Sequence, residues 1–275
     1  MKVIFFDIDG TLSDFEGKIP ESAIRGIKET QKKGNITALC SGRSENQIDE
    51  EILAIGFDAV VSAAGAHVSI GGAVRHGGKP IYEATIPAEQ YARCLAVTAG
   101  RTPDLCVQTN EEVFISESGY DHLARFTRET AKTDDPRDVV GNLIPIPSLS
   151  VVKGAQKMFY HNASVTVDEL QRELGAFFTV TELSFGKKDP YCGEITMNGI
   201  EKSTGMEQLM RHYGLTREDS VAFGDGPNDV DMMEYAGIAV CMGNGRDEIK
   251  ALADYVTADI GDDGIYKGLA HFNLL

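Results

Sequence analysis

The chain opens on Val3-Ile4-Phe5-Phe6, an uninterrupted apolar run that Asp7 cuts off, and runs of the same kind return at 36–40 and 59–62. Strands that are apolar at every position suit a sheet buried on both faces, as parallel sheets are. Between these runs the apolar residues fall at helical spacing, over about 20–33 and 45–55, and Gly34-Asn35 closes the first helix. The pattern predicts a βαβαβ unit and hence a doubly wound sheet.

After Gly65 the rhythm changes. Residues 68–70 and 74–76 flank Gly71-Gly72 and read as a β-hairpin, with Gly77-Gly78 as its exit. From 82 to 185 helix-like stretches (88–99, 120–131, 167–175) separate apolar runs without a βαβ order. Alternation resumes with a strand at 194–197, a helix over 203–213 and the run 220–223. A helix over 229–236, the run 238–242, a helix over 246–252 and a strand at 255–257 complete it. The prediction is an α/β fold: a doubly wound, Rossmann-like parallel-sheet core formed by 1–81 and 186–275, with an α+β domain, 82–185, inserted into it.

Composition narrows the function. The 275 residues carry 26 Lys+Arg against 42 Asp+Glu, a net charge of −16, with 42% hydrophobic and 25% charged side chains. That is the make-up of a globular protein, and its acidic field makes nucleic acid and anionic lipid poor partners. A phosphate-bearing ligand would need a locally positive pocket or a metal. The five cysteines, at 40, 94, 106, 192 and 241, are scattered and never in a CxxC spacing. They read as buried reduced thiols in a cytoplasmic protein. The first apolar run is too brief for a signal-peptide core or a membrane span.

Candidate chemistry gathers where apolar strands end, the edge at which open α/β sheets bind ligands. Asp7-Ile8-Asp9-Gly10-Thr11 follows the first strand. Two acids at i and i+2 of an extended chain point the same way and repel unless a proton or a hard cation such as Mg²⁺ lies between them. A bare pair of this kind is equally a cap for the next segment. A second acidic loop, Gly224-Asp225-Gly226-Pro227-Asn228-Asp229, follows the run 220–223 and offers further oxygen ligands. An N-cap role would account for Asp229 but not for Asp225 and Asn228 together. Ser41-Gly42-Arg43 opens the second helix, either as a plain cap or as an anion site. Lys202 stands just before the helix at 203, where its ammonium would reach a phosphate.

These four elements, in this order, resemble motifs I to IV of the haloacid dehalogenase superfamily. The tail, through Ala239-Val240-Cys241-Met242-Gly243-Asn244, Ala253-Asp254-Tyr255-Val256-Thr257 and Asp262-Asp263-Gly264, is similar to the Cof-like phosphatases of subclass IIB. The resemblance covers about 170 residues, and in that branch the inserted module is a cap domain that sets specificity. It implies that Asp7 is the nucleophile, forming an aspartyl-phosphate, and that Asp9 is general acid and then base. Mg²⁺ would be held by the Asp7 carboxylate, the Asp9 main-chain carbonyl and Asp225, with Asp229 in support. Ser41, Gly42, Lys202 and Asn228 would bind the phosphoryl group. Two positions depart from the branch: Ser41 replaces its usual Thr and keeps the hydroxyl, and Ala64-Gly65 replaces its usual Asn-Gly. Polar residues His122, Arg125, Arg128, Lys187, Lys188 and Tyr191 of the insert read as solvated surface.

The expectation is a Mg²⁺-dependent phosphatase of small phosphorylated metabolites, sugar phosphates foremost, acting as a monomer or homodimer. A phosphomutase using the same aspartates and a non-catalytic phosphometabolite sensor are the alternatives.

Overall fold

A computed structural model describes residues 1–14, 16–183 and 189–275, so Lys187 and Lys188 lie outside the described residues. The chain forms two compact units: one from Met1–Arg43, Ile48–Glu83 and Glu201–Leu275, the other from Ser44–Gln47 and Ala84–Ile200.

The first unit is built on an eight-stranded sheet. Its strands are β1 (Val3–Phe6), β2 (Ile36–Cys40), β3 (Ala59–Ser62), β4 (His67–Ile70), β5 (Lys79–Glu83), β12 (Ser220–Gly224), β13 (Ile238–Cys241) and β14 (Tyr255–Val256), in the order β14-β13-β12-β1-β2-β3-β4-β5. All neighbours from β14 to β3 are parallel, whereas β4 and β5 turn back antiparallel. The apolar runs follow from this arrangement. Ile4 and Phe6 of β1 point into a core shared with Ile27 of α1 (Glu21–Lys32) and Leu269 of α10 (Gly264–His271). Val3 and Phe5 point the opposite way, to Met206 and Leu209 of α7 (Lys202–His212) and Met232 of α8 (Val230–Tyr235). Helices therefore cover both faces, and a strand between them has no polar side. Two short helices, α2 (Glu50–Leu53) and α9 (Asp247–Lys250), complete the unit. Chain order reverses between β1 and β12, and the loops after these neighbouring strands bring Asp7 and Asp225 to one edge.

The second unit has a six-stranded sheet, ordered β10-β11-β9-β6-β7-β8, from β6 (Cys106–Gln108), β7 (Val113–Ser116), β8 (Ile144–Ile146), β9 (Lys157–Tyr160), β10 (Phe178–Glu182) and β11 (Gly193–Met197). It is antiparallel except between β7 and β8. Helices α3 (Ala88–Thr98) and α6 (Val167–Leu174) pack on one face, α4 (Glu117–Thr130) on part of the other, and α5 (Arg137–Val140) precedes β8.

Three sequence expectations are corrected. Residues 194–197, read as the return to the core, form β11 of the second sheet, so the return comes at Glu201 rather than 186. A short apolar run does not disclose which sheet it joins. Val74–His76 is a single helical turn, and the hairpin partner of β4 is β5. The helix expected over 45–55 is broken into the turn Glu45–Gln47 and α2.

Candidate active site

Asp7 continues the β1 ladder by one bond, its N–H donating to Phe223 O at 3.0 Å. Beyond it the chain coils back, and the N–H groups of Leu12 and Ser13 both reach Ile8 O. The extended geometry that would aim Asp7 and Asp9 together therefore ends between them. Asp7 is buried and its side chain turns to Lys202, whose Nζ donates to Asp7 Oδ1 at 2.5 Å and to Asp229 Oδ1 at 2.6 Å. Asp9 is outside this cluster. Its carboxylate lies in the fork of Arg43, with Nη2 at 2.6 Å and Nε at 3.1 Å, and Arg43 also reaches Asp49. Ser41 and Gly42 of this loop are site candidates by sequence, whereas Arg43 becomes one only here, because its partner depends on the fold.

Asp225 completes an acidic triad. Carboxylate oxygens of Asp7, Asp225 and Asp229 lie within 4.8 Å of one another, and all three residues are buried. Asp225 Oδ1 accepts from Thr11 Oγ1 at 2.9 Å. Gly10, at φ +88°, passes so close that a Cβ there would lie 2.3 Å from Asp225 Oδ2. Asp229 does not cap its own helix. Its Oδ2 accepts from the backbone N–H of Asp225 at 2.9 Å and of Gly226 at 3.0 Å, so it braces the loop from behind.

Lys202 is set by backbone contacts. Gly65, at φ +91°, lies where a Cβ would come 1.8 Å from Glu201 O, and a Cβ on Gly205 would come 2.3 Å from Val61 Cγ1 and 3.1 Å from Gly65 Cα. These glycines let the start of α7 approach β3, and Ser203 N–H is tied to Asp231 Oδ2 at 2.6 Å. Ala63 and Ala64 have φ of 50° and 54°. Their N–H groups donate to Arg43 O and Ser41 O, stapling the Ser41 loop to this turn. No α-helix starts at Ser41, contrary to expectation. Its hydroxyl accepts from Arg43 N–H at 3.1 Å and keeps its own proton to donate. Asn228 stands on the turn before α8 with Oδ1 folded over Gly226.

Burial and Asp229 push the Asp7 carboxyl well above the usual carboxylate range, against the pull of Lys202. Asp225 is pushed up to about 7, mainly by burial and then by Asp229. Lys202 is held well above an ordinary lysine by Asp229 and Asp7, which outweigh its own burial. Three buried carboxylates thus lie beside one ammonium, which bonds two of them. Two negative charges remain for a proton or cation to neutralise, and the donors are all hard oxygens, so the residues fit Mg²⁺.

The sequence model of the haloacid dehalogenase-like hydrolases matches residues 4–269. The chain belongs to that family. Among relatives of this haloacid dehalogenase-like hydrolase is the putative phosphatase YkrA of Bacillus subtilis, 28% identical over all of this chain and 98% of its own. The subclass IIB sugar phosphatase BT4131 superposes with a TM-score of 0.78 at 26% identity, over the full length of both chains. BT1666 of Bacteroides thetaiotaomicron, described among the phosphatases of the superfamily, shares the fold at TM-score 0.82 and 24% identity, covering all of this chain and 96% of its own. Family and relatives make the chain a phosphatase of the Cof-like, subclass IIB branch, a phosphoric monoester hydrolase. All five cysteines are free and buried, as expected. Arg125, Arg128 and Tyr191 are exposed. Among the described residues no helix is long and apolar enough to cross a membrane.

Proposed function

We propose that the protein is a cytoplasmic, Mg²⁺-dependent phosphatase of small phosphorylated metabolites, with sugar phosphates foremost, that works through an aspartyl-phosphate. The observation that carries this reading is the Asp7–Lys202–Asp229–Asp225 cluster, which keeps a carboxylate beside an ammonium and leaves a divalent charge to be balanced. An Asp7 oxygen attacks phosphorus as the ester P–O bond breaks, and Asp9 gives its proton to the departing alkoxide. Asp9 then takes a proton from the water that cleaves the aspartyl-phosphate, releasing inorganic phosphate and restoring Asp7. Arg43 orients Asp9 between these steps. Ser41, Gly42, Lys202 and Asn228 hold the phosphoryl oxygens. Asp7, Asp225 and the Asp9 main-chain carbonyl would hold Mg²⁺, which supplies neutralisation of the phosphoryl charge. With both carboxylate oxygens engaged, Asp229 supports from behind. Five buried thiols support a reducing compartment.

The test is phosphate release from sugar phosphates, nucleotides, pyridoxal phosphate and an aryl phosphate, with Mg²⁺ and with EDTA. Release should require the metal, and Asp7→Asn should lower it by a factor on the order of 10³ or more while the melting profile stays cooperative. Hydrolysis retained in an uncontaminated Asp7→Asn sample would remove the nucleophile assignment. No release from any ester by a folded, Mg²⁺-binding sample would favour a mutase or a sensor.

A further inference from the structure

The three tail motifs, 239–244, 253–257 and 262–264, have no part in the chemistry above. The structure joins them into one layer of the first unit, beside its acidic loops. Gly243 N–H donates to Ala258 O at 3.0 Å, and Thr257 Oγ1 donates to Gly264 O at 2.7 Å. The fit is close: a Cβ on Gly243 would come 2.3 Å from Asp259 Oδ1, and one on Gly264 2.3 Å from Ala258 O. At the edge of this layer stands Asn244, in the loop that follows β13. Its Oδ1 accepts from Ile260 N–H at 2.9 Å, and its Nδ2 donates to Gly10 O at 2.7 Å. The same loop reaches the second acidic segment, where Arg246 N–H donates to Asp225 O at 3.1 Å.

Gly10, at φ +88°, has no Cβ to restrict it, so the peptides on either side swing easily unless held. The turn closes on itself through Gly10 N–H to Ser13 O at 2.8 Å and Thr11 N–H to Ile8 O at 3.3 Å. Those local bonds shape the turn but do not fix where it sits against Asp225. Two contacts from distant parts of the chain do so, Thr11 Oγ1 on Asp225 and Asn244 on Gly10 O. Asn244 is exposed, and a hydrogen bond that water can replace contributes little to stability. Its consequence is a direction rather than an energy. Resting on the phosphatase reading above, we propose that Asn244 is a positioning residue for the metal. Through Gly10 O it sets the direction of the adjoining Asp9 main-chain carbonyl, and together with Arg246 N–H it sets the separation of that carbonyl from Asp225. The Asp9 carbonyl and the Gly10 N–H belong to one planar peptide and point opposite ways, so a swing at Gly10 moves this oxygen directly. Mg²⁺ demands near-ideal octahedral geometry and tolerates little of such movement.

The full-length enzyme and its Asn244→Ala, Asn244→Asp and Thr257→Val variants would be followed by thermal scans against Mg²⁺ concentration without substrate, and by kcat and KM on the wild type's best ester. Asn244→Asp keeps an acceptor for Ile260 N–H and loses only the donor to Gly10 O. Both Asn244 variants should need roughly fivefold more Mg²⁺ for half the rise in melting temperature, the contribution of one hydrogen bond. A carboxylate beside the site would by itself attract Mg²⁺, so a weaker response of Asn244→Asp is not an effect of charge. In both variants kcat should fall by about tenfold with KM little changed, because the metal and not the leaving group is misplaced. Thr257→Val breaks a bond of the same layer away from Gly10 and should keep the wild-type Mg²⁺ midpoint. A wild-type midpoint in Asn244→Ala, or an equal shift in Thr257→Val, overturns the proposal. Should Asn244→Ala be unstable, Asn244→Asp carries the same test, and failure of both to fold makes the residue structural and overturns it too. Absent phosphate release by a wild type that responds to Mg²⁺ removes the phosphatase reading and leaves this proposal to the scans, whereas a wild type with no response to Mg²⁺ overturns it.

Discussion

Lys202 neutralises part of a site that burial would otherwise forbid. Its side chain is 2% exposed and its ammonium touches two carboxylates, so removing it strands charges that water cannot reach. Lys202→Met should destabilise the protein in EDTA by about 3 kcal/mol, the cost of breaking a buried pair. Mg²⁺ should then raise its melting temperature by more than it raises that of the wild type, which paired melts would show. Ala64 is the residue-scale counterpart in the backbone. It holds a left-handed conformation, φ 54° and ψ 39°, where an alanine Cβ is crowded and asparagine is tolerated. Ala64→Asn, the residue usual in this branch, should stabilise the protein by roughly 1 kcal/mol. A lower melting temperature for that variant would contradict this account of the turn. Asp7 and Asp225 were legible in the sequence because each directly follows an apolar strand, whereas Lys202, beside a helix start, stood out only through the resemblance to the family's motifs. The Arg43 fork on Asp9 and the brace that Asp229 gives its loop were not, since side-chain partners are set by how the loops turn.

At the scale of elements, the join between β6 and the end of β9 carries a pH-sensitive pair. Asp104, on the loop before β6, accepts from the N–H of His161, which follows β9, at 3.0 Å. Burial raises Asp104 to about 7 and lowers His161 to about 4. A carboxyl raised in the folded state favours folding below its unfolded value, near 4, and loses that contribution as pH rises toward 7. A depressed histidine contributes fully above about 6.5 and loses that contribution as pH falls toward 4. The two slopes oppose across the same window and nearly cancel. Asp104→Asn should make stability rise with pH between 4 and 6.5, and His161→Gln should make it fall between 4 and 7, each by up to about 4 kcal/mol. Melts of both variants across pH 4–8 check the signs, and parallel curves would defeat the argument. Helix periodicity located α1, α3, α4, α6 and α7 within a few residues, because their amphipathic stripes are long. Strand β11 was assigned to the wrong sheet, since its alternation is the same whichever neighbour it pairs with.

For the whole molecule, the excess acidity of the site makes a further prediction. Mg²⁺ bound only by the folded state should raise stability by about 2.7 kcal/mol at a hundredfold excess over its dissociation constant. A thermal scan against magnesium concentration would show this, and Asp225→Asn should shift the response to higher concentration. A flat response in the wild type would remove the metal from the proposal. Without any structure, the chain's apolar runs determined a doubly wound core, because strands buried on both faces leave no polar positions. Its strand-end positions likewise put Asp7 and Asp225 at the sheet edge, since local geometry places residues at strand ends. Tertiary structure alone decided that Asp9 leaves the acidic cluster for Arg43, that Asp229 spends its second oxygen on its own loop, and that Asn244 reaches the carbonyl of Gly10. Those outcomes depend on strand order, register and the close approach at Gly65, contacts between residues far apart in the chain that no local pattern encodes.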